Sequence, residues 1–359
     1  MSSSPYVKIF IPGPVDVRPP ILAAQTRPMI GHRSPEYAEL QGRIMPRLRP
    51  IFGTSGRVFV VTASGSGLQE AAVRNCVRER CLSLVNGDFS QRWYEMALAN
   101  GKQADALTVP HGQAVLPEQV DARLKEGRYD AVTVVYNETS TGVLNPVPEI
   151  GAVLRNYPDV LLLVDAVSCA GGVEIKADDW GVDVCLTSSQ KALALPPGLA
   201  LCSVSDRAME RARSVPNRGW YFDFIQYDKY AAKNHTPATP AISLMYALDA
   251  QLDAIEAEGW ANRFARHRQL MQLVHDWVRR AGFDFFAPDG YRSPTVTCVT
   301  NTRGMDVSGL NKYLRQRYML ISNGYGNLKD KTFRIAHMGD STPDEITLLL
   351  AAIDDFLAA

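Results

Sequence analysis

Lys191 stands in the run LTSSQKALALPPG (186–198), which carries no other charge. An apolar strand pattern stops on two serines and a glutamine just before it, and Pro196-Pro197-Gly198 stiffens the exit. A lysine so placed is either a solvated loop charge or an amine confined for chemistry. An apolar site favours loss of its proton and leaves a nucleophile. Asp165 closes the most continuous apolar strand pattern, LLLVD (161–165). A carboxylate there must find a cation or several donors. A helix cap or a structural hydrogen bond would satisfy it, as would a protonated ring nitrogen. Ser64-Gly65-Ser66-Gly67 follows a strand pattern and opens a helical one, where backbone amides and the helix N-terminus favour an anion such as phosphate. Alone, that turn is weak evidence, and it lacks the Gly-x-Gly-x-x-Gly spacing of a dinucleotide site.

These groups become specific in combination. An amine for an aldehyde, a carboxylate for a pyridine nitrogen and a cradle for a phosphate are the requirements of pyridoxal 5'-phosphate. Phe89 or Trp93 can supply an aromatic for the ring face, although either also reads as core.

The elements that must position these groups follow a strand–helix alternation. Strand-length apolar runs occur at 58–62, 82–85, 106–109, 131–136, 160–165, 182–187 and 199–204. Between them lie amphipathic stretches at 67–80, 91–100, 117–126 and 148–157. This order predicts an α/β domain with a mostly parallel sheet flanked by helices. In such sheets ligands bind at the carboxyl ends of the strands. Those ends read TASGSG (62–67), NGDF (86–89), NETSTG (137–142), VDAVS (164–168) and SSQK (188–191). Residues 206–236, rich in Arg, Tyr, Phe and Asp without clear period, read as a long functional loop or a partner-contacting excursion. Helical period dominates 241–280, with Gly259 and Gly282 as stops. The rest, about 283–359, mixes short strands with helices as a small C-terminal α+β domain.

Composition narrows the classes. In 359 residues, 38 Lys and Arg balance 38 Asp and Glu, so net charge gives no reason to expect nucleic acid or an anionic membrane as partner. No apolar run approaches the roughly 20 residues that span a bilayer, and Met1–Pro5 lacks the pattern of a signal peptide. The six cysteines show neither a zinc spacing nor a Cys-x-x-Cys pair, and read as reduced thiols of a cytoplasmic protein.

On these residues the chain resembles the class V aminotransferases of fold-type I, within them the alanine–glyoxylate and serine–glyoxylate (serine–pyruvate) group. The resemblance runs from IPGPVDVRPPIL (11–22) and MIGHRSPEY (29–37) through NETSTGVLNP, LLLVDAVSCAGG and SSQKALALPPG to NHTPATPAISLMYAL and FRIAHMGD (333–340). It implies Lys191 as the Schiff-base lysine and Asp165 as the pyridinium partner. It also implies Ser64, Gly65 and Ser66 as the phosphate-binding turn, Gln190 as a phosphate-side contact and Thr139 as the hydroxyl on the cofactor's phenolic oxygen. Phe89 matches the ring-stacking aromatic. Arg334 matches the arginine that grips the substrate carboxylate, with Gly13 close by and Asn137 at a position that affects substrate choice. His235 and Thr236 match a segment reaching the neighbouring subunit's phosphate, which implies a homodimer with shared active sites. The chain departs from common relatives in carrying Phe89 for a tryptophan, Lys233 for a tyrosine, Ser66 for a histidine or threonine, and Asn137 for a histidine or glycine.

The implied organisation is an N-terminal segment 1–15 contributing to the active site, a large cofactor-binding domain 16–255 and a small domain 256–359. The implied activity is transfer of an amino group from alanine or serine to glyoxylate or pyruvate. The lack of an obvious second cation for the pocket argues against dicarboxylic donors. An aminophosphonate or ureidoglycine transaminase, a desulfurase-type lyase, and a non-enzymatic binding protein of this fold remain alternatives. Gln190 in place of a histidine before the lysine, and no cysteine in an exposed glycine-rich loop, argue against the lyase.

Overall fold

The structure, a computed structural model, describes residues 6–358; Met1–Pro5, on which the absence of a leader was read, lie outside the described residues. A seven-stranded sheet runs in the order Arg57–Thr62, Leu199–Val204, Val184–Ser188, Leu161–Asp165, Ala131–Val135, Arg80–Val85, Gln103–Thr108. Only Leu199–Val204 is antiparallel to its neighbours. The central strands are buried at every residue because both faces are covered. Side-chain alternation assigns them to two cores. Leu161 and Leu163 pack with Leu68, Ala72 and Trp93, whereas Leu162 and Val164 pack on the opposite face with Ile150 and Leu248.

A five-stranded sheet has the order Lys8–Phe10, Met319–Asn323, Thr332–Ala336, Val296–Thr300, Asp284–Phe285. The helices Trp260–Arg280 and Pro343–Ala358 bury Leu270, Trp277, Leu349 and Ile353 with its Phe333 and Ile335. Lys8–Phe10 pairs in parallel with Met319–Asn323. The chain therefore leaves this sheet at Phe10 and passes directly to Pro12-Gly13.

Two expectations are corrected. The helix placed over 67–80 is Gly65–Cys76, and Arg80 already opens the next strand. The stretch 206–236 is no long loop: it holds the helices Asp206–Ser214 and Phe224–Ala231. Their N-caps, Ser205 and Asp223, accept from the amides of Ala208 and Ile225. The six cysteines are all free and buried. Among the described residues no helix is long and apolar enough to cross a membrane.

Candidate active site

Strand ends at the carboxyl edge of the larger sheet enclose a cavity of about 120 Å³. Ser64, Gly65, Ser66, Phe89, Asn137, Thr139, Asp165, Gln190 and Lys191 all line it. Asp165 ends the strand next to Val184–Ser188, whose exit loop carries Lys191.

Ser189 closes that exit loop. Its hydroxyl donates to the Pro196 carbonyl at 2.7 Å, and its carbonyl accepts from the Leu195 amide at 3.1 Å. The Ala194 amide turns back onto the Lys191 carbonyl at 2.9 Å, with Ala194 in the left-handed region at φ 53°. The uncharged residues after Lys191 thus form a tight loop that presents the amine inward. Lys191 Nζ donates to the Pro12 carbonyl. Gly13 has φ +111°, and a Cβ there would lie 2.6 Å from Lys191 Nζ. Burial, reinforced by the Arg334 charge and opposed by Asp165, pushes the amine from 10.5 down to about 8.

Asp165 is 5% exposed. Its carboxylate accepts from Gln69 Nε2 at 2.6 Å and from the Val167 amide at 2.7 Å. Burial raises it from 3.8 to about 7, against the lowering effect of the Val167 amide. No ion pair involves Asp165 among the described residues. A buried acid with donors but no cation matches a protonated pyridine nitrogen. Ser188 Oγ, Gln190 Oε1 and Asn137 Oδ1 are buried, unpartnered, and belong to residues lining the same cavity. Ser64 sits at the N-cap of Gly65–Cys76 without spending its side chain on the cap. A Cβ on Gly65 would meet Val167 Cγ2 at 2.5 Å, so glycine lets the helix start approach the acid's strand end. These features fit pyridoxal phosphate: a free Ser188 hydroxyl, a helix N-terminus for the phosphate, an acid for the ring and an amine for the aldehyde.

Thr139 and Asn137 belong to a short hairpin, Asn137–Glu138 against Val143–Leu144, turned by Gly142 at φ +72°. The Thr139 hydroxyl and Asn137 Nδ2 both donate to Ser168 Oγ, at 2.8 and 2.7 Å. Arg334 is not among the cavity's lining residues. It is 7% exposed and lies behind Thr139, donating to the Thr139 and Asn323 carbonyls at 3.3 and 3.2 Å. Its guanidinium carbon stands 5.4 Å from the Tyr325 ring centre, and that ring is 5.3 Å from Phe89. His235 and Thr236 do not line this chain's cavity either. His235 stacks on Tyr37, and the Thr236 hydroxyl donates to the Ala238 carbonyl at 2.7 Å.

Six further residues line the cavity without a role assigned from sequence: Gln69, Arg92, Val135, Val167, Ser168 and Ser188. Gln69 was legible as a polar residue on the buried stripe of Ala72, Val73 and Cys76. Arg92 corrects the expectation that the pocket holds no second cation. It packs over Phe89, 4.9 Å from the ring centre, and donates to the Tyr325 hydroxyl at 3.1 Å. Glu138, fully buried, accepts from the amides of Phe89 and Ser90 and so fixes the start of the Phe89 helix.

An amine and a buried acid facing one cavity at a parallel sheet's carboxyl edge define a pyridoxal phosphate enzyme. The chain belongs to the class V aminotransferases, whose family profile matches residues 78–332. It is a transaminase with pyridoxal 5'-phosphate as cofactor, on the fold-type I architecture. It is 37% identical over 354 residues to an uncharacterized aminotransferase of Methanocaldococcus jannaschii, covering 96% of this chain and 91% of that one. A serine–glyoxylate aminotransferase of Arabidopsis thaliana is 33% identical, covering 97% and 90%. The crystal structure of an alanine–glyoxylate aminotransferase from Nostoc sp. superposes with a TM-score of 0.93 at 30% identity, covering 99% and 96%.

Proposed function

We propose that the enzyme moves an amino group from a small amino acid, alanine or serine, to glyoxylate or pyruvate. The observation that carries this reading is Arg334: a buried guanidinium beside Thr139, bonded only to main-chain carbonyls and without a carboxylate partner among the described residues. A planar guanidinium so kept is suited to take both oxygens of a donor's carboxylate. The serine and alanine specificities of the named relatives support the small donor.

Bound pyridoxal phosphate supplies an aldehyde that takes the amino group and a ring that accepts electron density from Cα. The chain's own residues do the rest. Asp165 holds the proton on the ring nitrogen, itself oriented by Gln69. The Gly65–Cys76 N-terminus, Ser64, Ser66 and the Gln190 side-chain amide would hold the phosphate, Phe89 would cover the ring, and the Thr139 hydroxyl, turned from Ser168 Oγ, would donate to the ring's hydroxyl oxygen. Lys191 Nζ, biased by burial toward its neutral form, is the base that takes the donor's Cα proton. His235 and Thr236 serve the partner's site in a homodimer.

Arg92 favours a second reading, in which a donor with a second carboxylate is bound between two cations. A panel separates the two. Alanine or serine should bleach the visible band of the bound cofactor, and glyoxylate or pyruvate should restore it. Bleaching by aspartate alone would favour the second reading.

A further inference from the structure

Arg263, on the helix Trp260–Arg280, is 1% exposed and lines no part of the cavity. Its guanidinium nevertheless touches the chain beyond each of the three groups assigned above. Nη2 donates to the carbonyl of Ala192, the residue after Lys191, at 2.7 Å. Nε donates at 2.9 Å to the carbonyl of Gly171, in the turn that follows Asp165. Nη1 donates to Asp340, on the extension of the Arg334 strand, and to Glu258, both at 2.9 Å. A neighbour on the same helix reinforces the last link: His267 Nδ1 bonds the Arg263 carbonyl at 2.8 Å, and Nε2 accepts from the Gly339 amide at 3.2 Å. The packing there leaves no slack. A Cβ on Gly339 would lie 3.2 Å from Ala194 Cβ, within the Lys191 loop.

Burying a guanidinium is costly, and an apolar side chain of similar volume is often as stabilising at such a place. What an apolar residue cannot do is hold two carbonyls and a carboxylate in one plane at fixed angles. We propose that Arg263 is a positioning residue for the transamination: it sets Lys191, Asp165 and Arg334 at their working separations by clamping Ala192, Gly171 and Asp340. The inference rests on the roles proposed above for those three residues.

The test uses the holoenzyme and two variants. Arg263→Lys keeps a cation for Glu258 and Asp340 but cannot span both carbonyls. It should leave the melting temperature within a few degrees while the visible circular dichroism of the bound cofactor falls at least about twofold, cofactor release on dilution accelerates about tenfold, and kcat drops between about 10- and 100-fold. Asp340→Asn keeps the carbonyl contacts and weakens the Arg334 side of the clamp, together with Asp340's own bonds to Arg18 and Gln251. It should leave the visible circular dichroism as in the wild type and raise the KM for the amino donor. The inference is overturned if Arg263→Lys matches the wild type in dichroism and release, or if both variants lose the dichroism equally. Lys191→Ala separates this from the underlying reading: if the wild-type visible band survives that change, the site assignment itself fails.

Discussion

Gly13 and Lys191 approach so closely that a Cβ on the glycine would lie 2.5 Å from Lys191 Cδ and 2.6 Å from Nζ. The N-terminal segment is brought there by the pairing of Lys8–Phe10 with Met319–Asn323, and the amine is tied to it through the Pro12 carbonyl. Gly13→Ala therefore meets both a left-handed backbone, φ +111°, and an occupied space. The expected outcome is a holoenzyme that folds but whose kcat falls by about 10²-fold, since displacing a reacting group by an ångström has that cost. Steady-state kinetics alongside a melting curve check it, and a variant with wild-type kcat would show that the amine has room to spare.

Lys191 makes the cofactor-free protein's stability depend on alkaline pH. Its folded pKa, about 8, lies below its ordinary 10.5 because burial disfavours the charge. Between those values the unfolded chain holds a proton that the folded one has released, so stability rises with pH through that window. Below pH 8 the folded protein bears the full cost of the buried ammonium. Lys191→Met should accordingly raise the melting temperature of the cofactor-free protein at pH 7, and the difference should shrink from pH 8 to 10. The same variant should lack turnover and the visible band.

Asp165 gives a slope of the opposite sign at lower pH. Its carboxyl group is raised from 3.8 to about 7, so between these values the unfolded chain gives up a proton that the cofactor-free fold keeps. Stability falls as pH rises through that window and levels off above it. In Asp165→Asn that decline disappears, so the cofactor-free variant should gain on the wild type from pH 4 to 7. With cofactor the order reverses: transamination should drop on the order of 10²-fold, because nothing then holds the ring proton. Denaturant titrations across the pH range and single-turnover rates measure the two halves.

The phosphate should supply much of the cofactor affinity. Ser64 and Gly65 lie at the helix start that lines the cavity, and the Ser188 hydroxyl is buried and unpartnered. Pyridoxal without its phosphate should bind on the order of 10²-fold more weakly than the phosphorylated form. Inorganic phosphate alone should raise the melting temperature of the cofactor-free protein. Equal affinity for both aldehydes would show that this helix start holds no phosphate.

Glu138 shows how a residue outside the sequence reading supports one within it. It accepts from the amides of Phe89 and Ser90 and from the Ser140 hydroxyl at 2.6 Å, and a Cβ on Gly87 would strike its carboxylate. Glu138→Gln should cost about 1–2 kcal/mol of stability, as lost caps do. It should also loosen Phe89, seen as a weaker visible dichroism of the bound cofactor.

What the sequence made legible follows from what each group needs locally. Lys191, Asp165 and Ser64-Gly65-Ser66 all sit at strand ends, where a continuous apolar run breaks into polar residues, and all line one cavity. Arg92 was missed because it stands on a helix behind such an end, where a polar side chain reads as a solvated face until the packing is known, and Gln69 because its place on the apolar stripe of its helix does not say what it bonds. Arg263 was hidden for a different reason. Three of its partners, Ala192, Gly171 and Asp340, are two backbone carbonyls and one distant acid, and no local pattern announces a carbonyl waiting for a donor. The two helices within 206–236 were overlooked because aromatic and charged residues mask their period, although Ser205 and Asp223 mark their starts.

Borohydride reduction of the holoenzyme followed by peptide mapping tests the central assignment most directly. The reduced cofactor should be found covalently on the peptide containing Lys191, with no other lysine labelled. Label on a different lysine, or a protein that retains cofactor yet yields no labelled peptide, would contradict it.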